Sequence, residues 1–332
     1  MDKLPKVSVV IPARNEEKYI GKCLESLLNN DYPSKNIEII VVDGMSEDNT
    51  RNIAEAISGV KIIENHLHFT PHGLNLGIKH STGQIIMIAS AHATYSKNYI
   101  SECVKALNMG YDAAGGKMVT LPGDNSIKAK AISEVLAHPF GTGARYRTRE
   151  FSNITEVDTV SYALYKKSVF EKLGGFNENL IRNQDIELSL RMKRAAKRIA
   201  LVPSAKSFYY ARSKFTSLFK NNFLNGFWVI WSTRFAKLPF SLRHLIPFFY
   251  ILFLILGGII STIFKPFSYL YFSILILYAI LITSASLHIS IKNKRFLLFP
   301  YAFWAFLTLH FSYGLGSFWA GVELLVSRRE KS

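Results

Sequence analysis

The chain has 332 residues, 49% of them hydrophobic, and a mean hydropathy of +0.14, which leaves room for one large domain with a membrane region or for two modest domains. Its 40 Lys and Arg against 24 Asp and Glu give a net charge of +16, but residues 213–332 hold 12 basic and only 2 acidic residues, which points that half at anionic headgroups. The same pattern excludes nucleic acid as the partner, because those charges punctuate long apolar runs and form no stripe on a polar face.

Lys6 to Ile11 reads as a short strand, followed by a turn at Pro12–Asn15. Ile20, Cys23, Leu24, Leu27 and Leu28 then recur at helical spacing. The largely apolar run Ile37–Val42 fits a parallel strand covered on both faces. A helix is expected near Thr50–Ile57, a strand at Val60–Glu64, a helix near Gly73–His80 and a strand at Gln84–Ala89. Alternation at this pace predicts a doubly wound α/β sheet, with ligands beyond the carboxyl ends of its strands. The segments after residues 11, 42 and 89 are therefore the ones to examine. The two cysteines, Cys23 and Cys103, imply no disulfide framework. The first residues enter a strand without a signal-peptide pattern, so a reduced, cytoplasmic first half is expected.

The second half reads differently. Ser213–His244 mixes Phe215, Phe219, Phe223, Phe227, Trp228, Trp231 and Phe235 with Lys214, Lys220, Arg234, Lys237 and Arg243. Phe215, Phe219 and Phe223 share a helical face, as in an amphipathic helix in the headgroup layer, or one packed on the first domain. Residues 245–264, 269–291 and 296–326 are three apolar runs, each long enough to span a hydrocarbon core. The third contains Gly314, Gly316, Gly321 and Glu323, so a single span and a re-entrant hairpin both remain open. The expected boundaries are 1–212 for the α/β domain, 213–244 for the interfacial segment and 245–326 for the membrane region. Arg234, Lys237 and Arg243 place the first domain on the cytoplasmic side, while a single third span would leave Arg328, Arg329 and Lys331 outside, against the positive-inside rule.

Pro12-Ala13-Arg14-Asn15-Glu16 follows the first strand, and Asp43-Gly44-Met45-Ser46-Glu47-Asp48-Asn49-Thr50 the second, with Asn49 or Thr50 placed to cap a helix. Further on come Gly73-Leu74-Asn75-Leu76-Gly77, Thr82-Gly83-Gln84, Ser90-Ala91-His92, Gly174-Gly175-Phe176-Asn177-Glu178 and Gln184-Asp185-Ile186-Glu187-Leu188. This ordered set resembles the family 2 glycosyltransferases, which have the Rossmann-like GT-A fold. Gly226 and Trp228, followed by His310, Tyr313, Gly314 and Gly316, are similar to its membrane-anchored subfamily of the succinoglycan-biosynthesis type.

The resemblance implies that Pro12, Ala13, Asn15, Glu16 and Asp43 bind the nucleotide and that Asp185 is the catalytic base of an inverting sugar transfer. Such a base must take the acceptor hydroxyl's proton as the new bond forms. A helix N-cap is the other reading of Asp185, and Glu187 faces elsewhere on the same helix. The family's metal-binding D-x-D has become Ser90-Ala91-His92, without a carboxylate. His92 is then either a ligand to a divalent cation, better suited to Mn²⁺ than to Mg²⁺, or a strand-end histidine that only hydrogen-bonds its surroundings. His66, His68, His72 and His80 read as a solvated loop cluster, and Leu74 stands where many relatives carry Arg. Arg145, Arg147 and Arg149 either cover phosphates or face solvent.

The expected activity is transfer of one sugar from a nucleotide-sugar donor to a lipid-linked saccharide at the inner membrane. Transfer to polyprenyl phosphate is the enzymatic rival, and a catalytically degenerate scaffold in an assembly complex is the rival from another class. A processive synthase is disfavoured, since Asn221–Trp228 lacks the Q-x-x-R-W segment.

Overall fold

The computed structural model describes residues 4–143, 145–148, 150–237, 240 and 242–329. Arg149 and Lys331 lie outside them, as do the side chains of Arg145, Arg243, Arg328 and Arg329. The chain forms two compact units, Met1–Val119 with Arg145–Tyr209, and Thr120–Ala144 with Tyr210–Ser332. The first ends close to the expected boundary at 212, but residues 120–144 group with the C-terminal helices.

In the first unit β1 (Val7–Ala13), α1 (Ile20–Leu28), β2 (Ile37–Asp43), α2 (Thr50–Glu55), β3 (Val60–Glu64), α3 (Thr70–His80) and β4 (Ile85–Ile88) alternate as expected. The chain continues through β5 (Ala93–Tyr95), α4 (Tyr99–Asn108), β6 (Ala113–Leu121), α5 (Ile127–Ala137), α6 (Arg145–Thr148), β7 (Thr155–Glu156), β8 (Leu164–Lys166), α7 (Lys167–Leu173), α8 (Gln184–Arg194) and β9 (Ile199–Tyr210). The sheet order is β3-β2-β1-β4-β8-β6-β9-β5, with β7 also on β9. The first four strands are parallel, and β4 then meets β8 antiparallel, so the sheet is mixed.

Strand alternation explains the two core layers. Val7, Val9, Ile11, Ile39 and Val41 pack on one face with Ile20, Cys23, Leu24 and Leu27 of α1. Val10, Ile40 and Val42 point the other way, toward Leu74, Leu188 and Met192. Leu28, read as part of the apolar stripe, is 46% exposed at the end of α1. Glu38 interrupts the apolar run of β2, and its carboxylate accepts from Ser8 Oγ (2.5 Å) and Thr82 N–H (2.9 Å). That bond ties the strand to the opposite edge from the ligand-binding one.

The second unit holds α5, α9 (Phe215–Trp231), α10 (Ile246–Ile263), α11 (Lys265–Lys292) and α12 (Leu298–Arg329). Among the described residues two helices, α10 and α11, are long and apolar enough to cross a membrane. The third apolar run forms one continuous 32-residue helix and not the re-entrant hairpin that its glycines left open. Those glycines serve contact. A Cβ on Gly316 would lie 1.9 Å from Phe223 O, and one on Gly226 of α9 would lie 1.9 Å from Tyr313 O. Gly314 meets Pro247 and Ile251, and Gly321 faces Phe248, all in the first turns of α10. Ser312 and Ser317 are fully buried in α12, and Ser317 Oγ donates to Gly226 O at 2.9 Å. In contrast Ile255, Leu256, Ile259, Ile260, Leu270, Ile276, Leu277 and Ile280 of α10 and α11 are exposed.

Candidate active site

The carboxyl ends of β2, β1 and β4 lie side by side, with Ala13 level with Asp43. β1 runs through Ala13, so the expected turn begins two residues later than Pro12. The two loops that leave here are laced together. Asn15, in the left-handed region at φ +56°, donates its N–H to Ser46 Oγ (3.0 Å), and its Oδ1 accepts from Glu47 N–H (2.9 Å). Glu16 N–H donates to Thr50 Oγ1 (2.7 Å), Glu17 N–H to Asp48 Oδ2 (3.1 Å), and Asn49 N–H to Glu17 Oε2 (3.2 Å). Asp43 is 2% exposed and accepts from Ser46 N–H (3.2 Å) and Ser46 Oγ (2.6 Å), which closes its own loop. Asn49 occupies the cap position of α2 without a side-chain cap bond. Asp48 Oδ1 accepts from Thr50 N–H instead.

Beyond β4, Ser90-Ala91-His92 meets the first of these loops. His92 Nδ1 lies 3.0 Å from Glu16 Oε1 and 3.4 Å from Ser90 Oγ. Ser90 N–H donates to Tyr95 Oη (2.8 Å), and the Tyr162 hydroxyl bonds the Ser90 side chain. The Tyr209 ring stands edge-on to His92 at 5.8 Å, and the Arg147 guanidinium lies 5.3 Å over that same ring. Behind this layer Cys23 Sγ donates to Ser90 O, and burial, with Glu16 second, pushes its thiol up to about 12. It is therefore an inert core residue.

Asp185 sits in the first turn of α8, which starts at Gln184, so it is not the N-cap. Asn183 holds that position at φ +61°. Loss of water around its carboxyl raises Asp185 above the ordinary carboxylate value, against opposing hydrogen bonds from the Ile186 and Asp185 N–H groups. Tyr165 of β8 is near enough for the Asp185 charge to raise its hydroxyl, after burial. The preceding Gly-Gly-Phe-Asn-Glu segment is clamped from two helices. Asn75 of α3 accepts from Phe176 N–H (2.8 Å) and donates to Phe176 O and Glu178 Oε1 (both 2.9 Å). Arg191 of α8 donates to Leu173 O (2.7 Å) and Gly175 O (2.8 Å) while pairing with the buried Glu187 (2.7 and 2.8 Å). Glu187 thus anchors the clamp.

The histidine cluster is only partly solvated. His66, His68 and His80 are exposed, with His68 Nδ1 3.0 Å from Gly44 O. His72 lies 3.4 Å from Glu178, and its Nδ1 is buried without a hydrogen-bond partner. Leu74 is buried in the core. For a cation, Glu16 and His92 offer two adjoining donors, an imidazole and a carboxylate. Among the described residues no group of three or more His, Cys, Asp or Glu is placed to hold a metal ion. The remaining positions around a cation at this pair fall to ligand oxygens. Sequence reasoning missed Tyr162, Tyr209 and the Asn75 and Arg191 clamps. Asn75 and Gly175 lay in quoted motifs, but no local pattern marks the two tyrosines.

A parallel half-sheet that gathers two laced loops at its edge, continued by antiparallel strands, defines a GT-A-type sugar-transfer domain. The fold matches the mannosyltransferase PcManGT from Pyrobaculum calidifontis, solved with GDP-Man and Mn²⁺, at a TM-score of 0.58 and 20% identity, over 96% of this chain and 88% of that one. It also matches residues 1–349 of S. aureus TarS, solved with UDP-GlcNAc, at 0.51 and 18% identity, over 68% of this chain and 66% of that one. The chain belongs to glycosyl transferase family 2, whose model matches residues 8–174, about half its length, and it is a glycosyltransferase. It is 29% identical to the dolichyl N-acetyl-alpha-D-glucosaminyl phosphate 3-beta-D-2,3-diacetamido-2,3-dideoxy-beta-D-glucuronosyltransferase of Methanococcus voltae, over 93% of this chain and 95% of that protein. It is 28% identical to the succinoglycan biosynthesis protein ExoA of Rhizobium meliloti, over 68% of this chain and 70% of that protein.

Proposed function

We propose that this glycosyltransferase inverts the anomeric centre as it moves one sugar from a nucleotide donor to a lipid-linked saccharide. The nucleotide lies against Pro12, Ala13, Asn15, Glu16 and Asp43, at the edge where ligands of such sheets bind. Asp185 takes the proton of the acceptor hydroxyl. The observation that carries this reading is the Asp185 carboxyl, raised above its ordinary value at the head of a helix whose approach is clamped by Asn75 and Arg191. A base whose pKa moves toward neutrality accepts a proton more readily. The names of the Methanococcus and Rhizobium relatives support the acceptor class: one acts on a dolichyl-phosphate sugar and the other serves succinoglycan biosynthesis.

Glu16 and His92 would hold a divalent cation, preferentially Mn²⁺, which supplies positive charge to the leaving diphosphate. α10 and α11 cross the inner membrane with the catalytic unit on the cytoplasmic side, where nucleotide sugars are made, and α9 lies at the headgroup layer.

The test uses the full chain in detergent with a panel of nucleotide-sugar donors and short polyprenyl- or dolichyl-linked saccharides, with Mn²⁺ or with chelator. Transfer to the saccharide is expected, with Asp185→Asn slower by about 10²–10⁴-fold and donor affinity little changed. Transfer only to free polyprenyl phosphate would overturn the acceptor, and near wild-type turnover by Asp185→Asn would remove the base. Full activity of His92→Ala in chelator would remove the cation from this pair.

A further inference from the structure

Where the family's acidic motif stood, this chain presents Ser90, Ala91 and His92, with Glu16 as the nearest carboxylate. A leaving diphosphate that meets so little metal-binding charge needs positive charge from elsewhere. One guanidinium is built into the layer behind these residues. Arg147 lies over Tyr209, the ring that meets His92 edge-on, and its charge also acts on Tyr162, whose hydroxyl bonds Ser90. It is therefore one aromatic ring away from both ends of the altered motif. Its own bonding is poor: Nη2 donates to the soft Met118 sulfur, and its buried Nε has no hydrogen-bond partner. A guanidinium has five donors in a rigid fork, and leaving one buried and unpaired costs free energy unless an anion completes the set. The Tyr209 ring holds the guanidinium in place without neutralising it.

We infer that Arg147 binds the donor's diphosphate and stabilises the charge that grows on it as the bond to the sugar breaks. The inference rests on the proposed sugar transfer and adds a fixed protein cation to it. Nucleoside contacts belong to the β1 and β2 loops. Arg147, beside the end of β4, faces the phosphate next to the sugar. It acts on the terminal phosphate and makes no contribution to the base or ribose. A cation held by the protein needs no reorganisation at the moment of reaction, which is what makes such groups effective.

Isothermal titration of the full chain in detergent with UDP, GDP, UMP and GMP tests this, in chelator and in Mn²⁺. Whichever diphosphate binds the wild type is expected to bind Arg147→Met about 10–100-fold more weakly, the range for a lost bond to a charged group. The matching monophosphate should bind both alike, and Arg147→Lys should recover part of the loss. Tyr209→Leu, which removes the ring under the guanidinium, should give a smaller loss with the same bias, and this variant decides the matter where Arg147→Met fails to fold. Unchanged diphosphate affinity in both variants, or equal loss of mono- and diphosphate, overturns the inference while leaving sugar transfer standing. If the wild type binds no nucleoside diphosphate, the proposed function falls and the inference with it.

Discussion

Asp185 carries opposed demands. Its carboxyl is raised above its ordinary value by loss of water, so the folded protein binds that proton more tightly than the unfolded chain does. The stability this group contributes is complete below the unfolded value, about pH 3.9, and is lost as pH rises through the folded value. At neutral pH the ionised base therefore costs stability, and Asp185→Asn is expected to raise the melting temperature while it lowers turnover. The acid limb of the pH–rate profile should lie above the ordinary carboxylate range, since only the ionised form takes a proton. A thermal scan and a pH profile on the same preparations check both. Lower stability in the Asn variant would show that ionised Asp185 has stabilising partners of its own.

At the scale of elements, close backbone contact holds α9 to α12. Gly226 and Gly316 each leave room for the partner helix's carbonyl, and Ser317 bonds across the crossing. Gly226→Ala or Gly316→Ala drives a methyl to within 1.9 Å of backbone oxygen, so the helices must part. A loss of about 1–3 kcal/mol is expected for such overpacking, measured by denaturant unfolding in a mild detergent. Alanine at exposed Gly59 would act differently, through its positive φ alone. The parallel strands were legible in the sequence because β-branched runs alternate between two buried layers, as Val9 and Val10 show. The antiparallel half was not. β8 and β5 are only three residues each and β7 two, so their periodicity is too short to read. The loop motifs pointed to Asn15, Glu16, Asp43 and Asp185 only through the family they resemble. They did not show that Glu16 pairs with His92 across 76 residues of sequence, or that Asn75 reaches Phe176.

For the whole molecule, the number of crossings decides where the C-terminus lies. Three apolar runs left a single third span or a re-entrant hairpin open, and α12 is one continuous helix with Ala302, Ala305, Phe306, Leu309 and Ala320 buried. With the proposed crossings by α10 and α11, the chain returns to the side it left, in keeping with Lys292, Lys294 and Arg295 after α11. A reporter fused after Ser332 should thus read cytoplasmic, and one inserted at Phe264 should read the far side. A far-side C-terminus would restore the third span.

The hairpin's two arms differ in length. α10 has 18 residues, roughly 27 Å of helix, while α11 has 28, roughly 42 Å. Where both arms cross as proposed, the shorter sets the reach of the anchor and leaves the surplus of α11 on the side of Lys292, where Ile282, Ala285 and Ile289 are buried. An anchor of about 27 Å matches a thin bilayer. In a thicker bilayer, the lipid around it must dimple or the hairpin must straighten. Bilayer thickness then acts as a ruler on the proposed anchor.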